Sequence, residues 1–255
     1  MKNRAFIFAA LIIVFLANPF INTAIWAQGG GEAAENFNKR GLEHSEREDW
    51  DRAIADYTKA ILLNPNHAES YYNRGSAYVS KGDYDRAIED LDKAISLDPN
   101  LESAYYYRGY AYDSKGDYDQ AIEDYSEAIR LNPNVYYIYR DRGYTYIGKG
   151  DIDKAIEDLE KAIGLDPNLE SAYYYRGYVY DSKGDYDRAI QDYSEAIRLN
   201  PNVYFIYRDR GSVYESKGDY DRAIGDYETA LSLNPDDDIT RQNLEAVRHA
   251  RERNH

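Results

Sequence analysis

The chain has 255 residues, of which 43% are hydrophobic and 30% are charged, a balance typical of an ordered, soluble helical protein. It contains no cysteine, which excludes disulfide bonds, thiolate metal sites and cysteine nucleophiles. Its formal net charge of -15 disfavours nucleic acid, whose phosphates need a basic surface, and it favours neutral or basic partners.

The first 27 residues differ in composition from the rest of the chain. Lys2 and Arg4 precede an apolar run over residues 5–17, and small residues lead up to Ala27, a pattern typical of a secretory signal peptide. As a helix, this run would span roughly 20 Å, short of the roughly 30 Å hydrocarbon core. We therefore expect an exported protein, periplasmic or secreted, with an uncleaved membrane anchor as the alternative. Residues 28–33, with three glycines, predict a flexible linker.

From residue 34 to residue 237 the sequence repeats itself with a period of 34. A shift by one period superposes six glycines, six alanines and six prolines, so six repeats share one register: 34–67, 68–101, 102–135, 136–169, 170–203 and 204–237. A fixed period in this range predicts a stack of two-helix modules. Such modules cannot bury their apolar faces alone and fold as one continuous array.

The pattern of the third repeat predicts two helices joined by a tight turn. Three of its residues share one face of the first helix, here called helix A: Tyr105, Gly109 and Tyr112. Gly116 ends this helix, since glycine adopts the left-handed C-terminal conformation, and Asp117 is a good N-cap for the next one. That second helix, helix B, has a buried stripe at helical spacing: Ala121, Tyr125 and Ala128. Pro133 then prevents helix B from continuing.

In this register the six repeats resemble the tetratricopeptide repeat. In the third repeat the matching features are an aromatic residue four positions before the glycine, a tyrosine three positions after it, and then alanine, an aromatic residue, alanine and proline: Tyr105, Gly109, Tyr112, Ala121, Tyr125, Ala128 and Pro133. The resemblance implies an all-α fold, a right-handed α-solenoid of antiparallel helix pairs. It also implies a concave groove, lined by helix A residues, that usually docks a peptide or a partner protein. The chain departs from the family pattern by having arginine, where leucine is common, just before each glycine.

Each of these arginines is followed sixteen residues later by an aspartate. Antiparallel helices A and B place the two side chains at the same height, so we predict a ladder of structural ion pairs, either within repeats or across to neighbouring ones. The pairs of the four middle repeats are Arg74 with Asp90, Arg108 with Asp124, Arg142 with Asp158, and Arg176 with Asp192. Catalysis by these carboxylates is not expected, because the neighbouring arginine keeps each of them ionised.

A second set of residues lies on the face of helix A opposite the packing stripe. We predict that this set lines a ligand-binding groove: Tyr72, Tyr106, Tyr110, Arg140, Tyr144, Tyr174, Tyr178 and Arg208. Tyrosine offers a large rigid contact area with a polar tip, which is why interfaces are enriched in it. Each arginine of the set could hold one carboxylate or phosphate, and Asn38 occupies a groove position in the first repeat. The alternative is that these tyrosines only pack on one another between adjacent repeats.

The two ends of the array differ from its middle. In the first repeat Glu48 replaces the glycine of the loop between helices A and B, as expected of a terminal capping repeat. Residues 238–255 predict a C-terminal capping helix, in which Leu244 and Val247 close the last core face.

Two classes of function fit this sequence. The first is a non-enzymatic scaffold that binds an extended peptide or a partner protein in the tyrosine-lined groove, outside the cytoplasm. The alternative is a glycan-binding protein of the cell envelope that uses the same tyrosines. We predict no enzymatic activity, cofactor or metal site, because the four histidines are scattered and no nucleophile or phosphate loop is evident. The expected partner is a protein or peptide, not nucleic acid, with membrane contact only through residues 1–27 if they stay uncleaved.

Overall fold

The computed structural model describes residues 19–253, with side chains described from residue 31 onwards. Residues 1–18 of the expected signal peptide lie outside this range. The described residues form α-helices in chain order: α1 (Pro19–Ser45), α2 (Trp50–Leu63), α3 (Ala68–Ser80), α4 (Tyr84–Leu97), α5 (Glu102–Lys115), α6 (Tyr118–Leu131), α7 (Tyr136–Lys149), α8 (Ile152–Leu165), α9 (Glu170–Ser182), α10 (Tyr186–Leu199), α11 (Tyr204–Ser216), α12 (Tyr220–Leu233) and α13 (Asp238–Arg253). No strand occurs in this range.

The first helix is longer than the repeat pattern predicts. It includes residues 28–33, which are helical where we expected a flexible linker. Glu32 and Ala33 are good helix formers, and they extend backwards a helix that is held in place by the fully buried Ala34. Within residues 19–253, no helix is long and apolar enough to span a membrane.

The described helices are grouped into two compact parts, divided between Lys115 and Gly116. In the first part, α1 packs on α2, α3 on α4 and α4 on α5, and α3 also contacts α1 and α5. In the second part, consecutive helices from α6 to α13 pack on one another, and α9 also contacts α7 and α11. Each part is thus a stack of antiparallel helix pairs in which the A helices are neighbours. The predicted all-α solenoid class is confirmed.

The turns between helices A and B follow from two residues. The loop glycines have positive φ, for example Gly82 at 75° and Gly150 at 86°, a conformation that side chains disfavour. The aspartate after Gly82 then caps helix B, since Asp83 accepts a hydrogen bond from the backbone N–H of Arg86 at 3.3 Å. In the first repeat Glu48 occupies the loop glycine position, also at positive φ, 57°.

The glycine inside helix A allows helix B to approach closely. A Cβ atom on Gly177 would lie 2.9 Å from Cδ1 of Tyr193, and one on Gly143 would lie 3.1 Å from Cγ of Leu159. Such distances are shorter than ordinary van der Waals contact. The recurring glycine is therefore required by a ring or a leucine of helix B that packs against the backbone of helix A.

The last helix closes the core of the second part. Leu244 and Val247 of α13 are buried and form one apolar cluster with Tyr214, Ile224 and Tyr227. The side of α13 that faces away from this cluster is exposed and mostly polar, with Ile239 as an exposed apolar residue. The helix therefore covers an apolar face that would otherwise meet water.

Candidate functional site

The arginine before each helix A glycine joins helices in two directions. Nε and Nη2 of Arg74 donate to the two carboxylate oxygens of Asp90, both at 2.7 Å. Nη1 of the same arginine donates to Oγ1 of Thr58, in helix B of the preceding repeat, at 3.0 Å. Arg74 therefore fixes its own helix pair and also connects that pair to the previous one.

The same fork recurs along the chain. In three repeats of the second part, the arginine donates two hydrogen bonds at 2.7–2.8 Å to the aspartate sixteen residues later. These pairs are Arg142 with Asp158, Arg176 with Asp192, and Arg210 with Asp226. Arg142 and Arg210 also donate to serines of the preceding helix B, Ser126 and Ser194. Arg108 donates to Asp92 of α4 at 2.5 Å, and Asp124 is buried in α6.

Burial and the guanidinium group act in opposite directions on these carboxylates. Hydrogen bonds from Arg40 lower the pKa of Asp56, whereas burial raises the pKa of Asp90 against the hydrogen bonds from Arg74. In both pairs the guanidinium occupies both carboxylate oxygens. Both carboxylates are thus buried and held by an arginine, which suits a structural role.

In the second part, the predicted groove residues lie on α7, α9 and α11, and we call this set the tyrosine face: Arg140, Tyr144, Tyr174, Tyr178 and Arg208. Tyr144 and Tyr178 are both 48% exposed. Tyr174 is half-buried, because its ring packs edge-on against Phe205 at 5.1 Å and its hydroxyl donates to Asp209 at 3.0 Å. The tyrosine face thus has two accessible rings, Tyr144 and Tyr178, and one ring that is fixed by its neighbours, Tyr174.

A row of ring contacts supports the accessible tyrosines. The ring centroids of Tyr144 and Tyr175 lie 5.0 Å apart, and those of Tyr175 and Tyr174 lie 5.5 Å apart. Since Tyr174 in turn contacts Phe205, the row runs from α7 across α9 to α11. Such tilted and edge-on ring pairs are favourable contacts. The exposed ring of Tyr144 is therefore held by packing before any ligand arrives.

The first part has a shorter arrangement of the same kind. Tyr110 is 40% exposed on α5. Tyr72 and Tyr106 are half-buried, and both of their rings contact Tyr107, at centroid distances of 5.8 Å and 5.2 Å. Of the predicted groove tyrosines in this part, Tyr110 is thus the most accessible.

The two arginines of the tyrosine face are held by acidic neighbours. Nε of Arg140 donates to Asp141 at 2.7 Å, and Nε of Arg208 donates to Asp209 at 2.9 Å. Arg208 also lies 3.7 Å from Asp237. These acids were not among the predicted groove residues, although the repeated Arg-Asp dipeptide signals them. Because both guanidinium groups already contact a carboxylate, they are less suited to bind an anionic ligand than the sequence suggested.

Asn38 does not line a groove, contrary to the sequence prediction. Its side chain is 1% exposed and lies between α1 and α3. The amide oxygen accepts hydrogen bonds from Ser70 at 3.1 Å and from Asn73 at 3.0 Å, and the amide nitrogen donates to Glu69 at 3.1 Å. Helix α3 supplies these partners, so the position is covered by the next repeat.

Another ladder, missed in the sequence, ties the loops of neighbouring repeats. A lysine before each loop glycine reaches an aspartate thirty residues earlier at the start of the preceding helix B. The ion pairs of this ladder include Lys115 with Asp85 at 2.6 Å, Lys149 with Asp119 at 2.5 Å, and Lys183 with Asp153 at 2.8 Å. The aspartates are well exposed, so these pairs contribute little to stability.

The described residues contain no group of histidines, aspartates and glutamates arranged to hold a metal ion. Their carboxylates mainly accept hydrogen bonds from arginines, lysines and backbone N–H groups. The accessible chemistry of the tyrosine face is therefore aromatic surface and hydroxyl groups, which suits binding.

Comparison with known proteins agrees with this architecture. Models described as "Tetratricopeptide repeat" match residues 43–108, 103–135, 171–203 and 204–237, and one described as "TPR repeat" matches residues 143–181. A crystal structure of MamA is similar to the chain at 33% identity, with a TM-score of 0.60, over 63% of this chain and 94% of that one. The search of curated protein sequences gave no significant match.

Two further solved structures share the fold. PilF of Pseudomonas aeruginosa aligns with a TM-score of 0.74 and 19% identity, over 86% of this chain and 99% of that one. YrrB, described as a TPR protein with an unusual peptide-binding site, aligns with a TM-score of 0.63 and 24% identity, over 74% of this chain and 97% of that one.

Proposed function

The chain belongs to the tetratricopeptide repeat family, and we propose that it is a non-enzymatic scaffold that binds an extended peptide or a partner protein through the exposed tyrosines of its A helices. The observation that carries this proposal is the exposure of Tyr144 and Tyr178, both at 48%, on rings of adjacent A helices. Large aromatic side chains on a rigid surface are the usual energetic centres of protein interfaces.

The packing beneath the tyrosine face favours tight binding. A flexible surface side chain loses rotamer entropy when a ligand immobilises it, at about 0.5–1.5 kcal/mol each. Tyr144 is already in ring contact with Tyr175, and Tyr174 is fixed by both Phe205 and Asp209. The tyrosine face is therefore largely organised before it binds. YrrB offers a family precedent for peptide binding by this fold.

The composition of residues 1–27 matches a secretory signal peptide and bears on where the protein acts. We propose that the protein is exported and that binding takes place outside the cytoplasm, with an uncleaved anchor as the alternative. N-terminal sequencing of the protein from its source cell tests this: a mature terminus near residue 28 supports cleavage, and an intact Met1 in a membrane fraction supports the anchor.

The binding proposal is tested with random peptides displayed on phage and selected on the full chain. The double variant Tyr144→Ser, Tyr178→Ser removes both accessible rings of the tyrosine face. Its matched control is Tyr136→Ser, Ile239→Ser, which removes two other exposed apolar side chains of the second part, 37% and 59% exposed. Circular dichroism establishes that all three proteins are equally helical.

We expect the selected peptides to bind the parent and the control alike, and the double variant about 30-fold or more weakly, the loss typical of removing interface hot spots. Equal binding by the double variant would exclude the tyrosine face as the site. Displacement of envelope glycans by free sugars, together with no peptide selection, would instead support the glycan alternative.

A further inference from the structure

The exposed rings of the tyrosine face stand at equivalent positions of neighbouring helices. Tyr144 on α7 and Tyr178 on α9 each directly follow the helix A glycine of their own repeat. Because α7 and α9 are in direct contact, their axes lie about 8–10 Å apart, the usual distance between packed helices. Two accessible aromatic rings therefore recur at roughly this spacing across the tyrosine face.

A third ring lies beside these two and is less exposed. The ring centroid of Tyr175 is 5.0 Å from that of Tyr144, and its side chain is half-buried. Tyr175 also precedes Tyr178 by about one turn of α9, so the two side chains are neighbours on one side of that helix. The three side chains thus form a shallow surface with two exposed rims and a floor of aromatic rings, here called the aromatic trough: Tyr144, Tyr175 and Tyr178.

The hydroxyl groups at the rims of the aromatic trough are available to a ligand. Among the hydrogen bonds of residues 31–253, none involves the hydroxyl of Tyr144 or of Tyr178. The charges of the tyrosine face are already occupied, because Arg140 and Arg208 each donate to a neighbouring carboxylate. The trough therefore offers aromatic faces and neutral hydrogen-bond donors.

These features count against most of the ways in which proteins recognise peptides. The described residues form no strand, so an extended peptide finds no sheet edge to pair with. An amphipathic helix docks in an apolar groove, whereas the exposed large apolar side chains of α7, α9 and α11 are all tyrosines, each with a polar tip. Acidic or phosphorylated motifs need arginines that no carboxylate already holds. The remaining common mode is an aromatic-lined groove that docks a proline-rich segment.

Resting on the proposed function, we propose that the aromatic trough binds a proline-rich segment of the partner in the polyproline II conformation. This helix has three residues per turn and rises about 3.1 Å per residue, so residues i and i+3 lie on one side of it, about 9 Å apart. That distance matches the spacing of the adjacent A helices. One proline ring therefore stacks on Tyr144, and another, three residues away in the segment, stacks on Tyr178.

The chemistry of such a segment complements the aromatic trough. Proline has no backbone N–H, so the segment presents carbonyl oxygens, which accept hydrogen bonds from the hydroxyls of Tyr144 and Tyr178. Its neutral rings need no counter-charge, which suits a face whose arginines are already paired. A polyproline II segment is also extended before it binds, and Tyr144 is already held by Tyr175, so both sides lose little conformational freedom.

Binding of fluorescein-labelled decaproline to the full chain, followed by fluorescence polarisation, tests this proposal. The parent is compared with Tyr144→Ser, with Tyr178→Ser and with Tyr178→Phe, which keeps the ring and removes the hydroxyl. The matched control is Tyr136→Ser, which removes another exposed ring of α7 that lies outside the trough. Unlabelled tetraproline and triproline are then used as competitors, because triproline is too short to place two prolines three residues apart. Circular dichroism establishes that all variants are equally helical.

We expect decaproline to bind the parent and Tyr136→Ser alike, and each of the two trough serine variants about 10-fold more weakly, as for an aromatic residue at the centre of an interface. Tyr178→Phe should bind about 5-fold more weakly than the parent, which corresponds to one net hydrogen bond. Tetraproline should compete about 10-fold better than triproline, because only tetraproline reaches both rings.

Three results would overturn the proline-rich assignment: no binding of decaproline by the parent up to about 1 mM, equal binding by both trough serine variants, or equal competition by the two short peptides. Phage-selected peptides that still bind the parent more tightly than the double variant Tyr144→Ser, Tyr178→Ser would then leave the proposed function standing. A failure to select any such peptide would overturn both proposals together.

Discussion

At the residue scale, the glycine of helix A shows how one missing side chain shapes the repeat. In repeats five and six the ring of a helix B tyrosine lies where the Cβ atom would be, with distances of 2.9 Å at both Gly177 and Gly211. Two helix B glycines, Gly164 and Gly225, have free space around them instead. The recurring helix A glycines are therefore explained by packing against helix B, whereas a glycine with free space around it only weakens its helix.

Two alanine substitutions separate these kinds of glycine. Gly177→Ala should lower the free energy of unfolding by about 1–3 kcal/mol, because the methyl group overlaps the buried ring of Tyr193. Gly164→Ala, inside α8 with no atom within 4 Å, should raise it by about 1 kcal/mol, since alanine is the better helix former. Urea unfolding followed by circular dichroism measures both, and a stabilising Gly177→Ala would contradict the packing account.

A second residue-scale prediction concerns the first loop. Glu48 adopts a φ of 57°, which costs a side chain about 1–2 kcal/mol relative to glycine. Glu48→Gly should therefore raise the free energy of unfolding by about 1 kcal/mol. Glu46→Gly, in the same turn but without a positive φ, is the matched control and should not stabilise. Equal effects of the two substitutions on the urea midpoint would count against stored strain at Glu48.

At the element scale, the arginine forks fix how helices A and B meet. Arg142 contacts Asp158 of its own helix B and Ser126 of the preceding one, so a single side chain positions three helices. The lysines of the loop ladder join the same helices at their exposed ends, where water screens the charge. The forks are thus the polar contacts on which the geometry of the stack depends.

Two acids on α8 test this distinction. Asp158→Ala should cost about 3–5 kcal/mol of unfolding free energy, because it leaves the mostly buried guanidinium of Arg142 without its carboxylate. Asp153→Ala removes an exposed partner of Lys183 and should change stability little. Chemical denaturation of both variants gives the comparison, and similar losses for the two would show that the forks are no more important than the surface pairs.

The outermost fork predicts a pH dependence. Arg40 lowers the pKa of Asp56 in the folded protein, so the ionised carboxylate stabilises the fold above its unfolded pKa of about 3.9. This contribution should be lost as the pH falls through the lower, folded pKa. The gap in unfolding free energy between the parent and Asp56→Asn should accordingly be constant above about pH 5 and narrow below about pH 4. If the difference in unfolding free energy widened on acidification, the pKa of Asp56 would be raised in the folded protein, not lowered.

The sequence predicted most of the helix pairs but fewer features of the candidate site. Gly116 and Pro133 end their helices locally, so helix pairs followed directly from the repeat. The burial of Asn38 did not, because it depends on Ser70 and Asn73 of the next repeat. The buried hydroxyl of Tyr193, which has no hydrogen-bond partner among the described residues, also escaped prediction, since its surroundings depend on packing and not on any periodic pattern.

At the scale of the whole molecule, the chain combines a repetitive core with an acidic surface. Many of its described basic side chains are already paired within the forks and the loop ladder, and the formal charge remains -15. Long-range attraction therefore favours a basic or neutral partner, while the exposed aromatic rings supply the contact area. We therefore expect such a partner to bind at the tyrosine face.

Site-specific photo-crosslinking tests whether a peptide binds at the tyrosine face. Benzoylphenylalanine replaces Tyr144 or Tyr178 in the tyrosine face, and Tyr136 or Ile239 at the matched exposed control positions, and each protein is irradiated with the same selected peptide. We predict crosslinks at residues 144 and 178 that excess unlabelled peptide suppresses, and none at residues 136 and 239. Crosslinks at the control positions with none at the tyrosine face would contradict this prediction.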